Sequence, residues 1–227
     1  MNAIFRAVLT TDNELKRLLS RAPELCRLRA SRDTFVAAVP HWLYVGDTSL
    51  HLAAAALRTG AAKILLDCGA DPNAANRRGA TPLHYACDPR PQSGGVWNPA
   101  RQAELIDILV GHGGKVDQPD RGGATALHRA VRSRGVAAVR RLLDAGARTD
   151  RRLDRNGSLP LHLAVRPTGA GGTSDSLDAQ LEIIAVLLEH GADPAAPDAI
   201  GRTPRDWATS EQIVSALGHR SSTPTVR

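Results

Sequence analysis

A six-residue phrase recurs along the chain, and it constrains the fold more than any other feature. Four copies begin at Thr48, Thr81, Thr125 and Leu159, and each has leucine third, histidine fourth and alanine sixth. A degraded fifth copy, Thr-Pro-Arg-Asp-Trp-Ala, begins at Thr203. The first residues of the copies are separated by 33, 44, 34 and 44 positions, so a period near 33 is kept with two insertions of about 11 residues. A repeat of this length predicts a solenoid, in which each unit buries a face only against its neighbours.

Each unit carries signals for a turn followed by two helices. In the second copy, Gly79 predicts a turn with positive φ, Thr81 an N-cap and Pro82 the first helical position. A second helix follows, with an apolar stripe at helical spacing. In four units a glycine ends this second helix, as a residue in the left-handed region does; these are Gly69, Gly113, Gly146 and Gly191.

The Gly-x-Thr-Pro-Leu-His-x-Ala phrase, combined with Leu-Leu-x-x-Gly-Ala-Asp, resembles the ankyrin repeat. The resemblance implies an all-α solenoid of stacked antiparallel helix pairs with short β-hairpin fingers. We expect N-terminal capping helices and a connection over 1–42, ankyrin repeats over 43–217, and a disordered tail over 218–227. The repeats are assigned to 43–75, 76–119, 120–153, 154–197 and 198–217.

The N-terminal region lacks the phrase and is interpreted as a cap. Two short helices are predicted at Ala3–Leu9 and Asp12–Leu19. The apolar segment from Pro23 to Tyr44 is interpreted as a connection that seals the first layer. Within it, Trp42 is assigned to the core in preference to a contact surface.

The recurring histidines, His51, His84, His128 and His162, invite a metal assignment. Zinc needs each nitrogen at about 2.0–2.1 Å, whereas packed helices lie about 8–10 Å apart, so no metal site is predicted. Instead, each imidazole is expected to bond back to the capping threonine, as in a capping box. The resemblance implies the same role. In the fourth copy Leu159 replaces threonine, so His162 needs another partner.

No sequence signature of an enzyme is present. The three cysteines, Cys26, Cys68 and Cys87, follow no metal or disulfide spacing and have no paired base, and the glycine-rich stretches lack the order of a phosphate-binding loop. We therefore predict a non-catalytic protein without a cofactor. The scattered cysteines and the lack of a signal or membrane-spanning run predict a cytoplasmic location, with unconventional secretion as the alternative.

The chain is basic, with a formal net charge of +6. Only three of its 29 basic residues are lysines, so part of the basicity is attributable to the codon bias of a GC-rich genome. The predicted fingers nevertheless carry arginine at three successive repeats, and guanidinium groups pair with carboxylates or phosphates. A solvated surface is the alternative. The candidate partner-binding residues are Tyr44, Arg77, Arg78, Trp97, Arg121, Arg132, Arg155 and Arg166.

The sequence thus predicts a protein-interaction module, monomeric alone, that binds an acidic partner protein along its concave face and fingers. The alternative is anion or nucleic-acid binding through the arginine stripe. Nucleic acid is disfavoured, because the interleaved aromatic residues that stack bases are missing.

Overall fold

Twelve helices in six consecutive pairs make up the part of the chain that the computed structural model describes, residues 2–39, 41–88, 98–167 and 177–218. A 3₁₀ helix at Pro23–Arg27 and two strands, β1 at Thr34–Val36 and β2 at His41–Leu43, lie between the first two pairs. The helices are α1 Ala3–Leu9, α2 Asp12–Arg21, α3 Ser49–Ala55, α4 Thr59–Asp67, α5 Pro82–Ala86, α6 Pro99–Gly111, α7 Ala126–Arg132, α8 Val136–Asp144, α9 Pro160–Val165, α10 Leu177–Glu189, α11 Pro204–Trp207 and α12 Glu211–Gly218.

The helix pairs stack in sequence order and form two parallel rows. Each first helix of a pair packs on the next first helix, and each second helix packs on the next second helix. The first helices are α1, α3, α5, α7, α9 and α11, and the second helices are α2, α4, α6, α8, α10 and α12. This is the predicted solenoid of helix pairs. None of the described helices is both long and apolar enough to cross a membrane.

Small aliphatic side chains fill the layers between the rows. In the third repeat, α7 buries Leu127 and Val131, and α8 buries Val139 and Leu142. Alanine side chains are buried between them, as at Ala130, which is fully buried. Since each layer is thin, short helices with leucine and alanine suffice to cover it.

The first helix of each repeat begins as the sequence predicts. The capping hydroxyl and the backbone N–H of Thr81 both lie within hydrogen-bond distance of His84 Nδ1, at 2.9 and 3.1 Å. The same arrangement occurs at Thr48 and Thr125. Four of the second helices, α4, α6, α8 and α10, are followed by glycines with positive φ, for example 86° at Gly113.

The segment between α2 and α3, which was expected to be a connection, contains strands. It contains an antiparallel hairpin in which Phe35 is paired with Trp42. Val36 and Leu43 point into the core, so alternation along the strands places Phe35 and Trp42 on the opposite face. The assignment of Trp42 to the core is therefore wrong, because its side chain is 46% exposed.

Two sequence predictions fall outside the described residues. These are the disorder of the tail beyond Gly218 and the role of Trp97 as a contact; most of the two insertions, 89–97 and 168–176, also lies outside the described residues.

Candidate interaction surface

In the second, third and fifth repeats, the finger is a tight turn organised by one Asx side chain. In the second repeat, Asn76 Oδ1 accepts hydrogen bonds from the backbone N–H groups of Arg78 and Ala80, at 2.8 and 3.1 Å. Gly79 has φ of 76°, and a Cβ there would lie 2.8 Å from the backbone nitrogen of Arg121. Glycine is thus required both by the turn and by the approach of the next finger.

Aspartate takes the place of Asn76 in later repeats. Asp120 Oδ1 accepts from the N–H groups of Gly122 and Ala124 at 2.9 and 3.0 Å, and Asp120 Oδ2 accepts from Arg129 at 2.9 Å. Burial acts to raise the pKa of Asp120, but these hydrogen bonds outweigh it and hold the pKa below its usual range. Asp198 organises the last finger in the same way. These carboxylates therefore build the turns and are already bonded on both oxygens.

One backbone hydrogen bond joins each finger to the next. The amide of Arg121 donates to the carbonyl oxygen of Arg78 at 2.9 Å. Equivalent bonds run from Arg77 to Val45, from Asp154 to Gly122 and from Ala199 to Asn156. The finger side chains are consequently held at the regular spacing of the repeats.

The finger arginines are exposed, and their environments differ. Arg77 forms an ion pair with Asp33, whereas the Arg78 guanidinium lies 3.9 Å from the centroid of the Tyr44 ring. Arg121 and Arg155 form no salt bridge with any residue in the described ranges. These two charges are available to a ligand.

A cleft of about 590 Å³ opens between the second and third fingers. Four arginines line it against one carboxylate, and that carboxylate already accepts from Arg129. The cleft therefore presents a positive potential to an incoming group. Its lining residues are Arg77, Arg78, Asp120, Arg121, Gly122 and Arg129.

The other candidates are not brought into this cleft. Arg132 pairs with Asp88 at 3.0 Å, and the Arg166 guanidinium lies 4.3 Å from the ring centroid of Trp207. Arg155 lies on the fourth finger. Trp97 lies outside the described residues.

Tyr44 is half-buried and forms part of a network around a buried carboxylate. Its backbone N–H donates to Asp47 Oδ2 at 2.6 Å, and Tyr85 donates its hydroxyl to the same oxygen at 2.8 Å. Asn76 donates to Asp47 Oδ1 at 2.8 Å. Burial raises the pKa of Asp47. This network fixes the base of the first finger, and the sequence phrase did not signal it.

The histidine column has the predicted structural role. In His51, His84 and His162, Nδ1 accepts a backbone N–H, so Nε2 carries the proton and donates to the following repeat. His51 Nε2 lies 3.0 Å from Ala80 O, and His84 Nε2 lies 2.9 Å from Ala124 O. His162, whose cap is Leu159, still accepts the Leu159 backbone N–H at 3.2 Å. Among the described residues no group of three metal-ligating side chains could hold an ion.

Stacked helix pairs joined by hydrogen-bonded fingers define the class of protein as a repeat solenoid with one continuous finger surface. The sequence profile described as "Ankyrin repeats (3 copies)" matches residues 4–92 and 98–198. The chain therefore belongs to the ankyrin repeat family. Proteins of this family serve as protein-interaction modules and are typically non-catalytic.

Comparison with individual proteins supports the same family. An ankyrin repeat domain from Acinetobacter baumannii superimposes with a TM-score of 0.71 and 25% identity over 94% of this chain and 95% of that one. The B-cell lymphoma 3 protein homolog of Mus musculus is 36% identical over 46% of this chain. The neurogenic locus Notch protein of Drosophila melanogaster is 61% identical over 18% of it. The chain spans only 22% and 2% of the lengths of these last two proteins.

Proposed function

We propose that the chain is a non-catalytic adaptor whose fingers and adjoining first helices bind an acidic segment of a partner protein. The observation that carries the proposal is the cleft between the second and third fingers, where four arginines face one carboxylate. We further propose that the protein acts as a monomer in a reducing, cytoplasmic compartment, consistent with its three free cysteines.

The chemistry of the arginines favours carboxylates as ligands. A guanidinium group presents a planar fork of donors that matches a carboxylate in bidentate geometry. Arg78 and Arg121 are exposed, and Arg78 is already oriented by its stacking on Tyr44. Binding of a ligand costs little conformational entropy of the Arg78 side chain, since that side chain is ordered before binding.

The arginines beyond the cleft extend the same proposed surface. Arg155 continues the finger row, and Arg132 and Arg166 lie at the ends of the first helices α7 and α9. We assign Arg155 a direct role in binding. We assign Arg132 and Arg166 to the margin of the surface, where their present partners Asp88 and Trp207 compete with a ligand. Tyr44 supports Arg78, and Trp97 remains a predicted contact.

Affinity capture with a charge-reversed variant tests this function. The triple variant Arg77→Glu/Arg121→Glu/Arg155→Glu and the wild type are used as baits in lysate of the native host, and the captured proteins are quantified by mass spectrometry. The control variant is Arg101→Glu, which changes an exposed arginine on α6, a second helix of its pair. We expect one protein with an acidic surface to be captured by the wild type and the control and lost with the triple variant. Equal capture by all three baits would exclude the finger surface as the binding site for the captured protein.

Nucleic-acid or anion binding is the second candidate, because phosphates satisfy the same arginines. Titration of a labelled duplex at several salt concentrations separates the two. Binding to a duplex weakens by about 0.9 log units per log unit of salt for each phosphate neutralised. A steep slope of this kind, abolished in the triple variant, would replace the acidic protein with nucleic acid as the ligand.

A further inference from the structure

The hairpin before the first repeat exposes two aromatic rings side by side. The centroids of Phe35 and Trp42 lie 5.5 Å apart at an interplanar angle of 58°. The side chains are 51% and 46% exposed. Single exposed apolar residues are common on protein surfaces, but a contiguous aromatic pair is typical of an interaction site.

The aromatic pair is held in place before any ligand binds. Strand pairing sets Phe35 opposite Trp42, and the other face of the hairpin is anchored by the buried Val36 and Leu43. Rings fixed in this way contribute contact area at a small entropic cost.

The hairpin is tied to the arginine cleft by the ion pair between Asp33 and Arg77. Tyr44 follows Trp42 by two residues, and the Arg78 guanidinium stacks on its ring at 3.9 Å. The Arg121 amide donates to the Arg78 carbonyl at 2.9 Å. We call this surface the aromatic–arginine strip; it consists of Phe35, Trp42, Tyr44, Arg78 and Arg121. It is apolar at one end and basic at the other.

Charge decides which kind of segment fits the strip. Residues 89–97 and 219–227 of the chain carry no Asp or Glu, and residues 168–176 carry one Asp and no large apolar side chain. These segments of the chain therefore do not match the strip. A complementary ligand carries carboxylates for the arginines and an apolar group for the rings.

We propose that the aromatic–arginine strip is the docking site for an extended acidic segment of the partner protein that contains one aromatic or large aliphatic residue. That apolar side chain packs on Phe35 and Trp42, and the neighbouring carboxylates pair with Arg78 and Arg121. This inference rests on the proposed function and names the partner segment that the same surface selects.

A displayed library of random peptides supplies the probe. Peptides of about 12 residues, which extend to about 40 Å, are selected on the immobilised full-length chain, and the affinities of the enriched peptides are measured by fluorescence polarisation. We expect enriched peptides to combine Asp or Glu with one aromatic or large aliphatic residue.

Two pairs of substitutions then separate the ends of the strip. Phe35→Ser/Trp42→Ser and Arg78→Glu/Arg121→Glu should each weaken binding by about tenfold or more, the loss expected for removal of an interface hot spot. The control is Arg101→Glu, which changes an exposed arginine on the second helix α6 and touches neither a finger nor a first helix. This control should bind as the wild type does. Circular dichroism verifies folding, and Phe35→Ser alone, with a smaller loss, serves if the double variant is unstable.

Other results contradict the docking site, the proposed function or both. Loss only in the arginine variant overturns the aromatic docking site and leaves the proposed function standing, whereas insensitivity to both pairs overturns both. Enrichment of neutral or basic peptides, or of none, overturns the inference. Sedimentation of the chain alone identifies the remaining occupant: a dimer that Phe35→Ser/Trp42→Ser dissociates would assign the strip to a second copy and refute an acidic partner segment.

Discussion

Gln102 Nε2 donates a hydrogen bond of 2.8 Å to the carbonyl oxygen of Ala86 at the end of α5. Gln180 Nε2 donates at the same distance to Ala164 O at the end of α9. Both glutamines are buried and lie on second helices, and both belong to the repeats that carry the insertions. The Gln102 side chain thus satisfies a helix carbonyl that would otherwise be buried without a partner among the described residues. At Ala164, Gln180 shares the carbonyl oxygen with Arg134 Nη1, which donates to it at 2.9 Å.

The repeats without insertions satisfy the equivalent carbonyl differently. Their short loops donate a backbone N–H instead, from Arg58 to Ala53 O at 2.9 Å and from Gly135 to Ala130 O at 3.0 Å. A longer connection in the other two repeats is accompanied by a glutamine that takes over this bond. The array therefore accommodates about 11 extra residues without leaving the end of the first helix unsatisfied.

Gln102→Leu should destabilise the protein by about 1–3 kcal/mol, because the buried carbonyl of Ala86 loses its donor. Urea unfolding followed by circular dichroism measures the change. Gln212→Leu, at an exposed position on α12, is the matched control and should have little effect. Equal effects of the two substitutions would remove the capping role of Gln102.

Shortening either insertion to the length of the α7–α8 loop should leave the free energy of unfolding nearly unchanged, since loop-closure entropy depends only weakly on length. In the chain shortened between Cys87 and Asn98, a loop amide can take over the bond to Ala86, so Gln102→Leu should cost less there than in the full chain. A double-mutant cycle measures this coupling. We also expect weaker partner capture, since the predicted contacts Trp97 and Arg166 lie in or beside the insertions. Unfolding of the shortened proteins would contradict the expected stability, and unchanged capture would contradict a role of the insertions in binding.

Acidification should destabilise the protein through its histidine column. Burial lowers the pKa values of His51, His84 and His128 from 6.5 to about 4. As the pH falls from about 6.5 towards 4, the unfolded state binds protons that the folded state does not bind. The free energy of unfolding therefore decreases from the value it has above pH 6.5. Each histidine contributes up to about 1.4 kcal/mol per pH unit in this window.

Urea unfolding of the wild type and His84→Gln at pH 7.5, 6.5 and 5.5 checks this dependence. Glutamine retains an acceptor for the capping box but does not titrate. The variant should lose stability on acidification with a slope smaller by about one proton. An identical slope in the two proteins would show that His84 is not held neutral by burial.

Thr125→Ala should cost about 1 kcal/mol, because the hydroxyl at the N-cap of α7 is lost. Thr125 is fully buried, and its hydroxyl lies 3.0 Å from His128 Nδ1. Thr125→Ser keeps the hydroxyl and serves as the control. Differential scanning calorimetry compares the two, and a serine variant as unstable as the alanine variant would point to packing of the methyl group instead of capping.

Sequence reasoning predicted the repeat architecture because each unit repeats its own local signals. Thr81, Pro82 and Gly79 encode a cap, a helix start and a turn by short-range physics, and His84 adds the capping box. Five copies of these signals leave little freedom in the fold. The finger positions of Arg77, Arg78, Arg121 and Arg155 followed from the same register.

The parts that sequence reasoning missed depend on contacts between distant residues. The exposure of Trp42 depends on its pairing with Phe35 across a hairpin, although the alternation of Phe35 and Val36, and of Trp42 and Leu43, held a signal for it. The Asp47 network joins side chains from two repeats. The bond from Gln102 to Ala86 spans an insertion. None of these follows from local propensity.

Hydrogen exchange of the chain in complex with its captured partner tests the central claim most directly. We predict slower exchange of the finger amides at 77–79, 121–123 and 155–157 and of the first helices α5, α7 and α9. Exchange of the second helices α4, α6 and α8 should not change. Protection confined to those second helices would place the partner on the opposite face and contradict the assignment of the fingers as the binding surface.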